Sequence, residues 1–180
     1  CHGAVGNDPQ YHCGDARLGP ATLPSIVPLS SMIDEFYDRL GGLCPGAFLE
    51  KWWNESTGYY AYPPADGFQL SIVTTLTPAL DGGNLTLEPG MRVDRFGSEE
   101  GRYLAPAYTP FAQRALPPWS LNDPEKGYPP SNYHLYQVER SFTVRSGTIA
   151  AWFGQSGQGA QYLATESISK LVDEGFLSRV

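Results

Sequence analysis

The sequence predicts an α+β domain with a largely antiparallel β-sheet core, a few short helices and a loop-rich N-terminal segment. Three observations carry that expectation. Segments rich in β-branched and aromatic residues outnumber amphipathic helical ones, and no alternation of strand and helix announces a parallel sheet. In addition, 20 Gly and 16 Pro among 180 residues repeatedly interrupt helices and interior strands. A chain of this length supports one core, burying roughly 70% of the surface its unfolded form exposes. No internal repeat is present. Residues 1–58 are expected to form an N-terminal segment, with a disulfide and a helix, packed on a single compact core of residues 59–180.

Residues 1–29 lack periodicity and are expected to be irregular. A helix is predicted over Met32–Leu40: Ser30 or Ser31 caps it, Met32, Ile33, Phe36, Tyr37 and Leu40 recur at helical spacing, and Gly41-Gly42 stops it. Phe48–Asn54 suggests a further helical turn. Tyr62-Pro63-Pro64 forces extended chain and Asp66-Gly67 a turn, after which Phe68–Thr75 reads as a strand. Asp81-Gly82-Gly83-Asn84 is a turn signal, and Leu85–Leu87 and Met91–Phe96 read as short strands broken at Pro89-Gly90. The proline-rich stretch Gly97–Leu121 is expected to be an ordered loop with a function. A turn at Asn122–Gly127 leads to strands at His134–Val138, Phe142–Val144, Thr148–Phe153 and Ala160–Ala164. A last helix is predicted over Glu166–Glu174, with Thr165 as cap, Ile168, Leu171 and Val172 buried, and Gly175 as its end.

The formal charge of -7, with only 12 Lys and Arg, provides no broad cationic surface for a row of phosphates, so nucleic acid is excluded as a partner. A small phosphorylated ligand needs only one or two arginines in a cleft that focuses their field. No run approaches the roughly 18 apolar residues of a membrane span, and no charged-then-apolar leader opens the chain, which therefore reads as soluble and already processed. Two glycosylation sequons occur, Asn54-Glu55-Ser56 and Asn84-Leu85-Thr86. Cys1, Cys13 and Cys44 all lie in the first quarter of the chain. One disulfide among them is expected, worth roughly 2–4 kcal/mol, with the third thiol left over. His2, His12, Cys1 and Cys13 do not follow a structural zinc spacing, and no metal is expected.

Gly154–Gly159 lacks the ending of a phosphate-binding loop, sits between strands instead of opening a helix, and misses the nucleophile-elbow spacing; on its own it is a hairpin loop. His2, His12 and His134 have no context that supports a catalytic triad. Asp94, Glu99 and Glu100 offer carboxylates for a glycosidase pair, but read more simply as solvated charges. More informative is Leu87–Gly97 with its continuation through Pro118. It puts Arg95, Arg114 and several rings on a proline-ordered segment after a strand, and an arginine fork with an aromatic face suits a nucleotide.

Four ordered motifs sharpen this reading: YPPADGF, DRFGSEEGRYLAP, FAQRALPP and WFGQSGQGAQY. Together, over about residues 59–180, they resemble the NAD glycohydrolase domain shared by tuberculosis necrotizing toxin and fungal surface NADases. The resemblance implies an enzyme that splits the nicotinamide–ribose bond of NAD or NADP, its substrate, with no cofactor. It implies that Arg95 and Gln161 are catalytic, that Tyr103 contacts a ring, that Arg114 contacts the pyrophosphate, and that Phe96 stacks on nicotinamide or packs beneath the site. It further implies a secreted or cell-surface, fungal-type protein and a homodimer. Some similar enzymes bind calcium near the C-terminus, but Asp173-Glu174 alone does not make such a site. The chemistry explains the sparse acid–base inventory. Nicotinamide leaves as a neutral molecule, so the enzyme must chiefly position the ribose, hold the diphosphate and admit one water. A non-catalytic nucleotide- or glycan-binding module and a glycan hydrolase are the alternatives; the first leaves NAD intact and the second ignores it.

Overall fold

The computed structural model describes residues 1–33, 36–72, 78–80, 82–125, 127 and 129–180. In chain order, α1 is the single turn Leu29–Met32 and α2 is Pro45–Trp52, opened by a proline whose missing N–H costs the first turn nothing. Strands β1 (Trp53–Asn54) and β2 (Tyr59–Tyr60) form a small hairpin, and β3 (Leu70–Ile72) pairs with β4 (Pro78–Leu80). Then come β5 (Gly82–Leu87), β6 (Arg92–Phe96), β7 (Tyr103–Pro106) and the one-turn helix α3 (Phe111–Arg114). The chain closes with β8 (Tyr133–Val138), β9 (Phe142–Thr148), β10 (Ala160–Leu163), α4 (Ile168–Asp173) and β11 (Leu177–Arg179).

The main sheet has seven strands in the order β11-β8-β6-β7-β10-β9-β5, and every neighbouring pair is antiparallel. The predicted α+β class is therefore what the chain forms. Strand alternation sorts its residues between two faces. Val93, Leu104, Tyr136, Val138 and Tyr162 join Leu87, Val144 and α4's Ile168 and Leu171 in one buried cluster. The register sets Asp94 opposite Ala105 and Leu163 opposite Tyr103. Counting in twos from those pairs puts Asp94, Phe96, Tyr103, Ala105 and Gln161 together on the other face. Phe96 there meets Leu29, Met32, Phe111, Leu121 and Tyr133 in a second cluster. A third cluster gathers Leu18, Leu40, Phe48 and Leu49 with Tyr60 and Phe153, so the N-terminal segment and the rest of the chain share apolar packing. Among the described residues no helix is long and apolar enough to cross a membrane.

Several local expectations are corrected. The helix predicted over Met32–Leu40 ends at Met32, and Phe36 stands 77% exposed; residues 34 and 35 lie outside the described ones. Tertiary bonds override the periodicity. The Arg39 guanidinium donates to the carbonyls of Leu18 and Pro20, Gln155 Nε2 donates to Asp38 O, and Gly41 lies against Gly154 too closely for either to carry a Cβ. Gly82, expected in a turn, opens β5 instead. A Cβ on it would lie 2.0 Å from Ser146 O of β9, so glycine serves strand approach here. The Gly97–Leu121 loop contains β7 near the middle of the sheet, and of the strand expected at Thr148–Phe153 only Thr148 belongs to the ladder. Beyond it Ile149 bridges to Phe68 and Ala150 N donates to Gly67 O, pinning the Pro63–Gly67 turn. Of the Phe68–Thr75 strand, Leu70–Ile72 forms and residues 73–75 lie outside the described ones. The last helix is capped by Ser167, whose side chain accepts from Lys170 N, not by Thr165. β11 was not legible, because three residues give no periodicity to read.

The disulfide joins Cys1 to Cys13, and Cys44 is free and exposed.

Candidate active site

A cleft of about 710 Å³ opens over the face of the sheet that carries Asp94, Phe96, Tyr103 and Gln161. Its size falls within the roughly 300–1,000 Å³ of small-molecule sites. Strands β6, β7 and β10 form its floor. The Tyr62–Gly67 turn and the stretch from Arg114 through Trp119 and Ser120 border it. All five residues singled out in the sequence, Arg95, Phe96, Tyr103, Arg114 and Gln161, line it.

Gln161 projects from β10, and its Nε2 donates to the backbone carbonyl of Asp66 at 2.8 Å. A carbonyl only accepts, so this bond orients the amide and leaves Oε1 as a fixed acceptor facing the cleft region. Tyr103 opens β7 at the rim, 38% exposed, and burial followed by the nearby Asp66 carboxylate raises its pKa.

Arg95 lies where backbone pairing between β6 and β7 ends. Its Nε donates to Gly97 O at 3.1 Å and its Nη1 to Tyr103 O at 2.8 Å, so the side chain bridges the diverging strands. Burial lowers its pKa, yet a guanidinium stays charged at any ordinary pH. The motif glycine Gly101 makes this possible: a Cβ there would lie 2.3 Å from Arg95 Nη2.

Arg114 is placed differently from a free pyrophosphate clamp. Nη1 lies 2.7 Å from Asp94 Oδ1, Nη2 donates to Asp94 Oδ2 at 2.9 Å, and Nε donates to Thr109 O at 2.9 Å. Asp94 is fully buried and also accepts from Tyr108 N and Tyr133 Oη. Tyr133's pKa is pushed up, first by burial and then by that carboxylate. Phe96 lies beneath: the Arg114 guanidinium sits 5.2 Å over its ring, and Phe111 and Tyr133 pack against it. That favours packing over exposed stacking. Of the three carboxylates read as solvated charges, Glu100 is exposed as expected and the other two behave otherwise. Asp94 is a buried hub, and Glu99 is held by Tyr136 Oη and by Arg179, whose hydrogen bond lowers its pKa.

Three cleft residues escaped the sequence reading. Tyr62 and Trp119 form an aromatic wall joined by a Trp119 Nε1 to Tyr62 Oη bond of 3.3 Å. Asp66 presents its carboxylate beside Tyr103. Tyr62 and Asp66 both belong to the motif YPPADGF, which was the signal available; Trp119 carried none. The glycine-rich segment does not line the cleft before Gln161. It is an ordered clamp, with Gly157 N donating to Ala112 O and Gly159 N to Gln113 O. A shallower depression along β5 and β9 carries no titratable side chain.

Comparison with known proteins agrees with this arrangement. Residues 86–180 match the family described as tuberculosis necrotizing toxin. The chain is 46% identical over 182 residues to the conidial surface nicotinamide adenine dinucleotide glycohydrolase nadA of Aspergillus fumigatus, an alignment covering 100% of this chain and 75% of that protein. The solved structure of tuberculosis necrotizing toxin in complex with its immunity factor IFT superposes with a TM-score of 0.59 at 21% identity, covering 85% of this chain and 83% of that one. At that identity the match speaks for the fold. With the matched residues running from the end of β5 through the cleft strands to the C-terminus, the chain belongs to the tuberculosis necrotizing toxin family.

Proposed function

We propose that this chain is an NAD(P)+ glycohydrolase, cleaving the nicotinamide–ribose bond to release nicotinamide and ADP-ribose. The observation that carries the reading is the convergence, in one cleft, of Arg95, Gln161, Tyr103 and the aromatic wall in a chain 46% identical to an NAD glycohydrolase. Gln161 Oε1, oriented by the bond from Nε2 to Asp66, accepts from a ribose hydroxyl or from the attacking water. Arg95 commits two of its N–H groups to backbone carbonyls and offers the others to the diphosphate side. Tyr103 contacts a ring at the rim. Arg114 acts as a positioning residue, since its fork is taken up by Asp94, and it holds Phe96 beneath the substrate.

An extracellular or surface setting accords with this activity. A disulfide ties Cys1 to Cys13, and the sequon residues Asn54 and Asn84 are both exposed for glycosylation. A homodimer is the assembly expected from the resemblance, and sedimentation would test it. The decisive experiment incubates purified protein with NAD and, separately, NADP, and separates the products by chromatography. Nicotinamide release that Gln161→Ala and Arg95→Ala each reduce at least about tenfold is the expected result. Intact dinucleotide in the presence of folded protein turns the assignment toward an inert binding module, and turnover unchanged in Gln161→Ala removes that residue from the mechanism.

A further inference from the structure

Hydrolysis of this bond leaves a chemical account that Arg95 and Gln161 do not close. When the C1′–N bond breaks, its electron pair goes to the pyridine ring, and positive charge moves to the ribosyl carbon. Water then adds to C1′ and must shed one proton. An amide does not take a proton at neutral pH, and a guanidinium is already protonated and has no lone pair with which to accept another. Among the described residues, the cleft lining contains no histidine and two carboxylates, Asp66 and Asp94.

Those two differ sharply. Asp94 is fully buried: its Oδ2 accepts from Arg114 Nη2, Tyr108 N and Tyr133 Oη, and its Oδ1 lies 2.7 Å from Arg114 Nη1. It is neutralised and sealed from water. Asp66 is 48% exposed; among the described residues its ion-pair partner is Arg145, 3.4 Å from Oδ2 and itself partly exposed, and the Tyr103 hydroxyl lies within hydrogen-bonding reach. Screening by solvent keeps such a pair weak. The Asp66 backbone carbonyl is the group that orients Gln161, so carboxylate and amide stand at the same end of the cleft.

Backbone conformation points the same way. Ala65, Asp66 and Gly67 have φ of 57°, 57° and 82°, three successive residues in the left-handed region, two of them not glycine. For the two non-glycine residues such conformations cost of order 1–3 kcal/mol each and persist where the surrounding structure over-determines them. Here Gly67 O receives Ala150 N, Gln69 N donates to Thr148 O, and Gly67 N closes the turn on Pro64 O. The strained turn is held against the sheet with its aspartate at the cleft.

We infer that Asp66 is a further catalytic residue: its carboxylate faces the ribosyl cation and accepts the proton released by the attacking water, passing it to bulk solvent. The step balances as NAD+ and water giving ADP-ribose, nicotinamide and a proton, with no further reactant. The inference rests on the glycohydrolase reading, and its test separates the two.

Two variants tolerate the left-handed backbone, so each removes the charge without adding strain. Asp66→Asn keeps the shape of the side chain, and Asp66→Gly leaves a space that formate can enter. Thermal melts matching the parent protein verify folding. For both, kcat for nicotinamide release is expected to fall by roughly a hundredfold with KM changed less than about threefold. Added formate is expected to raise kcat of Asp66→Gly at least about tenfold, while leaving Asp66→Asn and the parent protein unchanged. A purely structural role would not respond to formate. As a control, Arg145→Gln removes the ion pair but keeps the carboxylate, and is expected to retain activity. The inference is overturned if either folded variant keeps near-parental kcat, if formate leaves Asp66→Gly unmoved, if Arg145→Gln loses as much activity, or if both Asp66 variants unfold. Parent protein that leaves NAD intact overturns the glycohydrolase reading first, and this one with it.

Discussion

At the scale of single residues, two arginines line the cleft and the structure holds them in different ways. Arg114 is a buried ion in a bidentate pair with Asp94, and removing one member of such a pair typically costs about 3–5 kcal/mol because the other charge is stranded. Arg95 instead bridges two backbone carbonyls across a glycine. Gly101→Ala therefore makes a specific prediction. The new methyl would collide with the end of a flexible side chain, not with backbone, so the fold yields by moving Arg95. We expect nicotinamide release to fall at least about tenfold, while stability drops only by about 1 kcal/mol for each of the two hydrogen bonds lost. Steady-state turnover and thermal melts on the same preparation check it; unaltered activity would mean that the position of Arg95 is unimportant.

At the scale of elements, glycines decide which segments approach each other. Gly157 illustrates this: its φ is +63°, and a Cβ would lie 2.7 Å from Ala150 backbone atoms. Neither the dihedral nor the backbone neighbour yields easily. Gly157→Ala is expected to destabilise the protein by at least about 2 kcal/mol, combining left-handed strain with overpacking. It should also loosen the bond from Gly157 N to Ala112 O that clamps α3, and with it Arg114. Denaturant unfolding measures the effect, and a loss below about 0.5 kcal/mol would refute the clamp. The same contacts explain why the helix pattern of Met32–Leu40 was misleading. Its apolar spacing was real, since Met32 and Leu40 are buried, but the backbone between Asp38 and Gly41 is used to hold Gln155 and Gly154.

At the scale of the whole molecule, titrating groups define a window of stability. Burial lowers the pKa of His134, and of His12, below 6.5, so the unfolded chain takes up protons there before the folded one does. Stability is then fully present above pH 6.5 and is lost as pH falls below it. Glu99, lowered by its bond from Arg179, and Asp15, lowered by Arg17, add a further loss as pH falls below 4.5 and 3.8. In the other direction, burial raises Tyr37, Tyr60, Tyr133 and Tyr136 above 10.0, so stability is lost as pH climbs past that value. Tm should accordingly be highest between pH 6.5 and 10.0, as thermal melts across a pH series would record. In His134→Gln the step just below pH 6.5 should shrink; an unchanged step would clear His134 of responsibility.

Local chemistry dictates the features that residue order alone makes legible. Runs rich in β-branched and aromatic residues between turn signals marked β6, β8, β9 and β10, the helical spacing marked α4, and the absence of strand–helix alternation implied an antiparallel sheet. Ordered motifs also pointed to Arg95, Phe96, Tyr103, Arg114 and Gln161, because residue type and order survive without coordinates. How these groups are held is set by long-range contacts. Whether an arginine's fork is free or satisfied depends on residues far along the chain: Asp94, 20 positions from Arg114, lies against it, and Asp66, 95 positions from Gln161, orients its amide. Such pairings arise from strand register and loop closure, which bring together side chains that no local pattern connects. The half-exposed carboxylate of Asp66 stands apart only against the fully buried one of Asp94, a contrast made by burial and therefore by the fold.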